Sequence, residues 1–566
     1  MPNLERVEFS GGTLLEDAIM EYDHDDTDET KEGANFEDVL RIVGNTGRFQ
    51  LLVYIFFLFM EAAAASVLMI FVFDSINPGF VCPTSNITSL LNNGTGDDLP
   101  TSTNETTSAP QCQANGQPCA GYEFIGPRIT VVSQFALVCE ETYAVKMAQS
   151  VAFVGVLIGA AGSQFSDLFG RKRTLIIIWP LLMVTCVCQK FTMNFPMFMV
   201  IRFLSCVCVG LKLTVTTCLT VEYFGPFWRS VASCRIGFQC GELIADLFAF
   251  LLTDWKNCAL AIGLFSAPVY PIFILLIPES PRWLVQKGRI DEAYTNLCKI
   301  ARWNRKPKPD IEMVKRIVPA DDKRYNYNVL HLYSTRKLIK TSLIVQFSWT
   351  ALSFLAYGIA SQMSTLAGSV YINFAISKIL TIATRWGVVF VLNWCGRKKT
   401  FIGTWIVMVI LFIVIISLDL SGVSATNRLP VSYIAAVIDS ISNYAWSSVL
   451  MLSSELYPTL IRNVAIGSGN LAARIGSIFA PQIASLETIH MTLPFAVYAG
   501  LGVISMILIG LFIPETNKKP LPDELPPVEI NCCASCRKPS SSSSLVVKTD
   551  NEESELQTLN SHTTNM

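Results

Sequence analysis

The chain has 566 residues, of which 51% are hydrophobic and 16% are charged, whereas soluble proteins contain about 25% charged residues. Its formal net charge of −2 lacks the basic excess that binding to a nucleic-acid backbone requires, and its four histidines leave little material for a metal centre. We therefore expect no nucleic-acid partner, metal or cofactor. The mean hydropathy of +0.42, with apolar runs of about 20 residues along most of the chain, predicts a protein that crosses the membrane many times.

Twelve apolar stretches are each long enough to cross about 30 Å of hydrocarbon as an α-helix. In chain order they are 50–73, 146–166, 174–193, 197–221, 231–252, 258–277, 338–360, 367–392, 400–418, 430–451, 461–485 and 491–513. The sequence thus predicts an all-α membrane protein with twelve transmembrane helices. Its predicted regions are an acidic N-terminal region at 1–49, a six-span half at 50–277, a central cytoplasmic loop at 278–337, a second six-span half at 338–516 and a disordered cytoplasmic tail at 517–566.

The loop 74–145, between the first two spans, is predicted to be extracellular. Basic residues are concentrated after the second and eighth spans, in Arg171-Lys172-Arg173 and Arg397-Lys398-Lys399, and such short basic loops stay in the cytoplasm. The loop 74–145 holds a single basic residue, Arg128. It also holds three N-glycosylation sequons, at Asn86, Asn93 and Asn104. We therefore expect a glycoprotein of the plasma membrane with both termini in the cytoplasm.

Four cysteines share this predicted extracellular compartment, which favours disulfide bonds. They are Cys82, Cys112, Cys119 and Cys139. Four cysteines allow three pairings, and the sequence does not choose among them. At the other end of the chain, Thr564-Asn565-Met566 is a weak match to a peptide that adds a strand to a PDZ-type groove.

Three segments of the first half recur in the second half, in the same order and separated by 226 to 236 residues. The matching pairs are Asp167–Arg173 with Asn393–Lys399, Glu222 and Arg229 with Glu455 and Arg462, and Pro278-Glu279-Ser280 with Pro514-Glu515-Thr516. This constant spacing indicates a duplicated six-span unit. Duplicated halves related by an axis along the membrane normal are typical of the major facilitator fold.

The repeated residues are predicted to form a conformational latch at the cytoplasmic ends of the helices. A Gly in each tight turn permits a positive φ, and Arg bonds acidic side chains and the last carbonyls of neighbouring helices. The alternative is that the basic residues only anchor the topology. The predicted latch residues are Asp167, Gly170, Arg171, Glu222, Arg229, Glu279, Arg282, Gly396, Arg397, Glu455, Arg462 and Glu515.

Several of these segments resemble a known family. Gly162–Arg173 resembles the signature loop of the major facilitator superfamily, and Pro278–Leu284 is similar to a segment shared by sugar transporters and organic ion transporters. Together with Val131–Cys139 and Ser454–Asn463, they resemble solute carrier family twenty-two, the organic cation, anion and carnitine transporters. The resemblance covers about residues 36 to 516. It implies a transporter that works by alternating access.

Two segments depart from related patterns. Gln134-Phe135-Ala136 stands where the family usually has Glu-Trp and a polar residue, which leaves the subfamily open. The seventh span reads Gln346-Phe-Ser-Trp349 without the Gly-Ile-Asn that follows in sugar transporters.

Charged residues at mid-membrane depth are candidates for substrate binding, because each one needs a partner or a ligand there. Arg385 and Arg474 lie twelve residues from the cytoplasmic ends of their spans, which is about 18 Å along a helix. Similar arithmetic places Glu61, Lys212 and Asp246 at about 15–17 Å. Two guanidinium groups favour an anion, since Arg binds carboxylates in a bidentate way. The alternative is that the three residues of the first half neutralise the two arginines as structural ion pairs.

The family resemblance points the same way. Arg474 falls where organic anion and carnitine transporters are similar to this chain and organic cation transporters carry an Asp, and Arg385 falls where organic anion transporters have a Lys. Tyr357 and Trp446 match positions of substrate-facing aromatic residues in the family. Because the acidic residues of the first half are not part of that pattern, a cation or zwitterion substrate stays open.

We therefore predict a transporter of small organic ions that prefers organic anions. The alternatives are a transporter of organic cations or carnitine-like zwitterions and, from another class, a membrane receptor or scaffold without transport. The chain has no P-loop, His-rich metal spacing or nucleophile elbow, so no enzyme activity is expected.

The topology can be tested by glycosylation. Glycosidase treatment of the protein is expected to increase its gel mobility, because the three sequons lie on the extracellular side. Replacing Asn86, Asn93 and Asn104 together by Gln is expected to abolish that increase. A mobility change that survives the triple substitution would contradict the predicted placement of the loop.

Overall fold

A computed structural model describes residues 36–44, 47–82, 112–114, 117–119, 121–162, 164–225, 236–317, 329–363, 367–422, 428–458 and 461–517. Some predictions fall outside this part of the chain and stay predictions. They concern Asn86, Asn93, Asn104, Arg229 and the segment 564–566.

The first half of the described chain is built from helices. They are α1 Phe36–Val43, α2 Arg48–Asp74, α3 Val131–Gln134, α4 Thr142–Ala161, α5 Gln164–Phe169, α6 Arg171–Gln189, α7 Phe195–Tyr223, α8 Gly237–Leu251, α9 Trp255–Phe265 and α10 Val269–Leu276. Three short helices follow in the central loop, α11 Pro281–Gln286, α12 Ile290–Asn304 and α13 Ile311–Arg316. The second half contains α14 Arg336–Gln362, α15 Val370–Cys395, α16 Arg397–Leu420, α17 Leu429–Glu455, α18 Arg462–Ala484 and α19 Leu493–Phe512. Single 3₁₀ turns lie at Cys139–Glu141, Val329–Tyr333 and Ser485–Thr488.

A helix lies within each of the twelve predicted stretches. Among the described residues, eight candidate spans are long and apolar enough to cross a membrane: Arg48–Asp74, Cys139–Phe169, Arg171–Gln189, Phe195–Tyr223, Trp255–Leu276, Arg336–Gln362, Arg397–Leu420 and Leu493–Phe512. The other four stretches correspond to α8, which has 15 residues, and to α15, α17 and α18, which are not among these eight candidates. The count of twelve spans therefore stays a prediction.

The sixth predicted stretch is interrupted. Helix α9 ends at Phe265 and α10 begins at Val269, with Pro268 between them. Proline has no N–H to donate and fixes its own φ, so it breaks the hydrogen-bond ladder at this point. A continuous apolar run in the sequence does not reveal this break.

Equivalent helices of the two halves pack on equivalent partners. In the first half α2 packs on α8, α4 on α7 and α6 on α9. In the second half α14 packs on α18, α15 on α17 and α16 on α19. The packing thus repeats in the order that the sequence repeat predicts. The halves meet where α4 contacts α18 and α8 contacts α15.

Close helix crossings depend on small residues. A Cβ atom on Gly159 of α4 would lie 2.1 Å from the carbonyl oxygen of Val207 in α7, and one on Gly210 of α7 would lie 2.2 Å from that of Val156 in α4. Backbones approach this closely in membrane proteins only where no side chain intervenes. The glycines therefore set the distance between α4 and α7.

The loop after α2 is held by two disulfide bonds, Cys82–Cys119 and Cys112–Cys139. The predicted disulfides are therefore confirmed, and the structure selects one of the three pairings. Two short antiparallel ladders lie beside them, β1 Phe80–Val81 with β4 Glu123–Phe124 and β2 Gln113–Ala114 with β3 Gln117–Pro118. We call this end of the molecule the disulfide end and the opposite end, which carries the repeated Gly-Arg turns, the latch end.

The short helices at the latch end are tied to the first half. The Asn304 side chain accepts a hydrogen bond from the backbone N–H of Phe49 at 3.0 Å and donates to the Val43 carbonyl at 3.1 Å. Arg282 of α11 forms an ion pair with Glu37 of α1 at 3.2 Å. These contacts join α1, α2, α11 and α12 into one layer.

The α4–α7 crossing can be tested with Gly159→Ala. Alanine favours a helix by about 1 kcal/mol over glycine, so propensity alone would raise stability. The steric overlap with Val207 is expected to outweigh this stabilising effect. The thermal midpoint of the purified protein is therefore expected to fall by about 3 °C or more. Gly403→Ala is the matched control, because a Cβ on Gly403 meets no atom within 4 Å, and it is expected to leave the midpoint unchanged or slightly higher. An unchanged midpoint in Gly159→Ala would contradict the close crossing.

Candidate functional site

The cleft between the halves is closed at the disulfide end by hydrogen bonds from α4 to α14. Lys146 Nζ donates to Ser361 Oγ at 3.2 Å, and that hydroxyl donates to Gln149 Oε1 at 2.9 Å. Lys146 and Gln149 belong to the first half, whereas Ser361 belongs to the second. This chain of polar groups therefore joins the halves.

Helix α18 adds further contacts to the same closure. Ser150 Oγ donates to the carbonyl oxygen of Ile478 at 2.6 Å, and Gln482 Nε2 donates to Ser150 Oγ at 3.2 Å. A cavity beside these contacts, between Arg202 and Tyr357, has a volume of about 20 Å³. Sites for organic ligands usually have about 300 Å³ or more, so this cavity is too small for such a molecule.

Arg474 and Tyr357 lie together at the boundary between the halves. Arg474 Nη1 of α18 donates to Tyr357 Oη of α14 at 3.1 Å. The Tyr357 ring meets Phe153 of the first half edge-on, with 4.8 Å between the ring centroids. The two helices come close because Gly476 lies against the Thr350 carbonyl, 2.5 Å from where a Cβ would be.

The half-buried Arg474 guanidinium has no ion pair with a carboxylate among the residues that the structure describes. The alternative prediction is that Glu61 or Asp246 neutralises Arg474. No such ion pair of Arg474 is present among the described residues. A guanidinium next to a phenol hydroxyl at a boundary between halves can bind an anionic group with several donors.

Arg385 belongs to a second contact, between α15 and α17. Its Nη1 donates to Asn443 Oδ1 at 2.9 Å. One residue away on each helix, Tyr444 Oη donates to the carbonyl oxygen of Thr384 at 3.1 Å. Both contacts fix the face that α15 turns toward α17.

Trp446 is positioned by another tryptophan. Its ring meets Trp349 edge-on at 5.3 Å between centroids, and Trp349 Nε1 donates to Ser453 Oγ at 3.0 Å. All three residues belong to the second half. The half-buried Trp446 ring therefore packs on Trp349, whose orientation is fixed by the hydrogen bond to Ser453.

The three candidate binding residues of the first half lie in different surroundings. Lys212 is 1% exposed and lies inside the first half, with Nζ 4.5 Å from the centroid of the Trp179 ring. Glu61 of α2 packs on the start of α8, where a Cβ on Gly237 would lie 2.8 Å from Glu61 Oε2. Asp246 of α8 is 6% exposed. Lys212 therefore lies inside the first half, whereas Arg385 and Arg474 belong to helices of the second half.

Three charged residues that were not predicted from the sequence form a cluster between the halves. Lys378 Nζ of α15 lies 2.8 Å from Asp439 Oδ2 of α17 and 3.3 Å from Glu242 Oε1 of α8. The exposed fractions of the three residues are 4–6%. Each lies inside a predicted apolar stretch, so the rule that intramembrane charges need a partner could have found them.

Each half carries the same arrangement at the latch end. In the first half, Glu279 accepts hydrogen bonds from the backbone N–H groups of Arg171 and Lys172, both at 3.0 Å. The Arg171 guanidinium forms ion pairs with Asp167 and Glu222, both at 2.9 Å. The carboxylate of Glu279 therefore caps the N-terminus of α6, where the helix dipole favours negative charge.

The second half repeats this cap. Glu515 accepts a hydrogen bond from the Arg397 N–H at 2.9 Å, and the Arg397 guanidinium pairs with Glu455 at 3.0 Å. Gly170 and Gly396 have φ of 105° and 93°, and a Cβ on either would lie 2.5–2.8 Å from the capping carboxylate. Both glycines are therefore required by backbone conformation and by space.

Two further predicted latch residues lie apart from these caps. Arg282 pairs with Glu37 instead of a repeated residue. Arg462 is the first residue of α18, and its guanidinium has no ion pair with a carboxylate in the described ranges. The described ion pairs of Arg171 and Arg397 join helices of the same half.

Known proteins are similar in sequence to this chain. A family model described as "Sugar (and other) transporter" matches residues 95–524. Solute carrier family 22 member 15 of Xenopus tropicalis is 33% identical to the chain, over 71% of this chain and 76% of that protein. Organic anion transporter 3 of Oryctolagus cuniculus is 29% identical, over 74% and 78%. Organic cation/carnitine transporter 2 of Homo sapiens is 28% identical, over 70% and 71%.

Solved structures share the fold. The major facilitator superfamily proton:xylose symporter XylE bound to 6-bromo-6-deoxy-D-glucose matches with a TM-score of 0.55 and 18% identity, over 83% of this chain and 98% of that chain. An inward-open conformation of the xylose transporter XylE from E. coli matches with a TM-score of 0.55 and 16% identity, over the same shares. At such identities the likeness shows the fold alone. The major facilitator fold predicted from the sequence is thereby confirmed.

The cap of α16 can be tested with Glu515→Gln. Partial burial acts to raise the pKa of the Glu515 carboxyl, but hydrogen bonds from the backbone N–H groups of Asn517, Lys398, Lys399 and Arg397 outweigh it and lower the pKa below its ordinary value of 4.5. A lowered pKa in the folded state adds stability above the ordinary pKa, and this stability is lost as the pH falls through the folded-state pKa.

Glu515→Gln is therefore expected to lower the thermal midpoint at pH 7, and the difference from the parent is expected to shrink below about pH 4.5. The readout is thermal unfolding of the purified protein at both pH values. Glu312→Gln is the control, since the 60% exposed Glu312 side chain pairs only with Lys315 among described residues. A difference that does not depend on pH would contradict the role of the charge.

Proposed function

The chain belongs to solute carrier family 22 and is a transmembrane transporter, and we propose that it moves small organic ions by alternating access, with organic anions preferred. The substrate enters the cleft between the halves, binds near the middle of the membrane and leaves on the other side after the halves rock. Relatives named for organic anions and for organic cations and carnitine make the charge of the substrate the central question.

The observation that supports an anion is the environment of Arg474. Its guanidinium keeps a hydrogen bond to Tyr357 and has no carboxylate partner among the described residues. A buried or half-buried cation near the middle of a membrane is costly without a counter-charge. The carboxylate or sulfonate group of a substrate supplies that counter-charge.

Further groups in the second half suit the same ligand. Arg385 adds a second cation on α15. Tyr357 and Trp446 offer aromatic faces on which the apolar part of an organic anion packs. In this proposal the cations orient the substrate and the rings provide most of the apolar contact.

A second candidate is a zwitterionic or cationic substrate. It is favoured by Asp246, whose Oδ1 is buried with no hydrogen-bond partner among the described residues, on the helix that contacts the second half. We also propose that Glu61 and Lys212, in the same half, have a secondary effect on which substrate charge is preferred.

We take the disulfide end as extracellular and the latch end, with both termini, as cytoplasmic, in the plasma membrane. Basic turns then face the cytoplasm and the disulfide bonds face an oxidising compartment. With the disulfide end closed, the structure corresponds to a conformation that is shut to the outside. In this proposal the ion pairs of the Arg171 and Arg397 clusters join helix ends within each half, and their breaking and re-forming latches one of two conformations.

The anion proposal can be tested with Arg474→Asp. This change replaces a cation by an anion, and a unit charge at 4 Å is worth about 4 kcal/mol at an effective dielectric constant of 20. Uptake of labelled organic anions is therefore expected to fall at least a hundredfold at equal surface expression, with a relative gain for organic cations. The measurement is uptake of an anion panel beside a cation panel.

Arg385→Lys is the matched control, because it keeps the positive charge but loses the bidentate geometry, and partial anion uptake is expected. Arg385→Ala is expected to weaken anion uptake without a gain for cations. If Arg474→Asp carries the same anions as well as the parent, Arg474 does not set the charge preference. If the parent carries no ion of either panel, a receptor or scaffold role is favoured.

A further inference from the structure

Lys378 is a buried cation that contacts both halves of the protein. It is 6% exposed and lies in α15, inside the eighth predicted apolar stretch. Its ammonium group lies 2.8 Å from Asp439 and 3.3 Å from Glu242, with the Phe374 ring centroid at 5.0 Å. At such depth each charge depends on its partners, because water is excluded.

The two carboxylates differ in the half to which they belong. Asp439 lies on α17, in the same half as Lys378, and it also accepts a hydrogen bond from Ser377 Oγ at 2.6 Å. Glu242 lies on α8, in the other half. Lys378, Ser377 and Asp439 therefore move together when the halves rock, whereas Glu242 moves with the other body.

The cluster lies within the contact between α8 and α15, which joins the two halves. Toward the disulfide end, Phe250 of α8 meets Tyr371 of α15 with 5.8 Å between ring centroids. Phe73 of α2 stacks on the same Tyr371 ring at 5.6 Å. Seven residues separate Tyr371 from Lys378, about 10 Å along the helix. Aromatic rings thus pack at the end of this contact that is nearer the disulfide bonds, and the ion pair lies about one and a half to two helical turns further along α15.

Glu242 is not needed to neutralise Lys378, because Asp439 already does so. The cluster holds two carboxyl groups for one ammonium group, and removing a carboxylate from water costs several kcal/mol. In some proteins a buried ion pair specifies one of two arrangements rather than adding overall stability. Here the surplus group is the one that crosses between the halves.

We infer that the Glu242–Lys378 ion pair is a lock between the halves that stabilises the conformation closed to the outside. When the disulfide end opens, α8 separates from α15, Glu242 is left to the water of the opened cleft, and Lys378 keeps Asp439. Opening the lock therefore costs little free energy at Lys378, because this residue keeps one carboxylate partner. The inference rests on the proposed alternating access and orientation, but not on the charge of the substrate.

The test compares two variants that each remove one carboxylate from the same ammonium group. Glu242→Gln removes the partner across the halves, and Asp439→Asn removes the partner within one half. Both are placed in a background with Ser361→Cys as reporter, since Ser361 is 2% exposed within the closed contact. The rate of labelling by a membrane-impermeant cationic thiol reagent, added outside intact cells without substrate, reports opening of the disulfide end. The same protein without the reporter gives the background rate.

Glu242→Gln is expected to raise the labelling rate at least threefold, because the open conformation gains population. Asp439→Asn is expected to leave the rate unchanged or to lower it, since Lys378 then pairs with Glu242 alone. An unchanged rate in Glu242→Gln, or an equal increase in both variants, would overturn the lock. If either variant fails to reach the surface, the same comparison is made with Glu242→Asp and Asp439→Glu, which keep both charges but shorten or lengthen the side chain. Because no substrate is present, a failure of the anion proposal leaves this result unaffected.

Discussion

The cost of placing a charge inside a membrane governs this structure. Three cations in the spans have partners of different kinds on the surrounding helices. Lys378 has two carboxylates, Lys212 has the face of Trp179, and Arg474 has the hydroxyl of Tyr357. A cation that is fully neutralised serves structure, whereas one that holds only neutral groups keeps the capacity to bind an anion. This difference is the reason why we propose Arg474 as the leading binding residue and Lys378 as part of a lock between the halves.

The duplicated unit explains which features are scaffold and which are specific. At the latch end, Glu279 and Glu515 cap equivalent helices in the two halves, and Arg171 and Arg397 pair with equivalent glutamates. Near the middle of the membrane the equivalence ends, because the second half carries Arg385, Arg474 and the Lys378–Asp439 pair while the first half carries mostly acids. The halves share a framework but present opposite charges to the cleft. A substrate or an ion pair between the halves is favoured by this asymmetry.

Closure at the disulfide end combines contacts of different strength. Neutral hydrogen bonds join Ser150 and Ser361 to the opposite half, aromatic rings pack around Tyr371, and one ion pair joins Glu242 to Lys378. Neutral hydrogen bonds are readily exchanged for bonds to water, whereas the opening of the ion pair leaves Lys378 with Asp439 as its remaining partner. In our proposal the charged contact between Glu242 and Lys378, rather than the neutral hydrogen bonds, specifies the closed conformation.

The sequence by itself determined the apolar stretches, the duplication and the residues of both helix caps, because hydrophobic runs, glycine turns and repeated motifs are local in the chain. It also singled out Arg474 and Tyr357, which the fold brings within hydrogen-bond distance. Only the tertiary structure decided the pairing of Cys82 with Cys119 and the position of Lys212 inside one half. It alone brought Glu242 to Lys378, 136 positions apart in the chain. Such pairings depend on the rotation and register of packed helices, which close glycine crossings and side-chain volumes set over long sequence separations, and no local pattern carries that information.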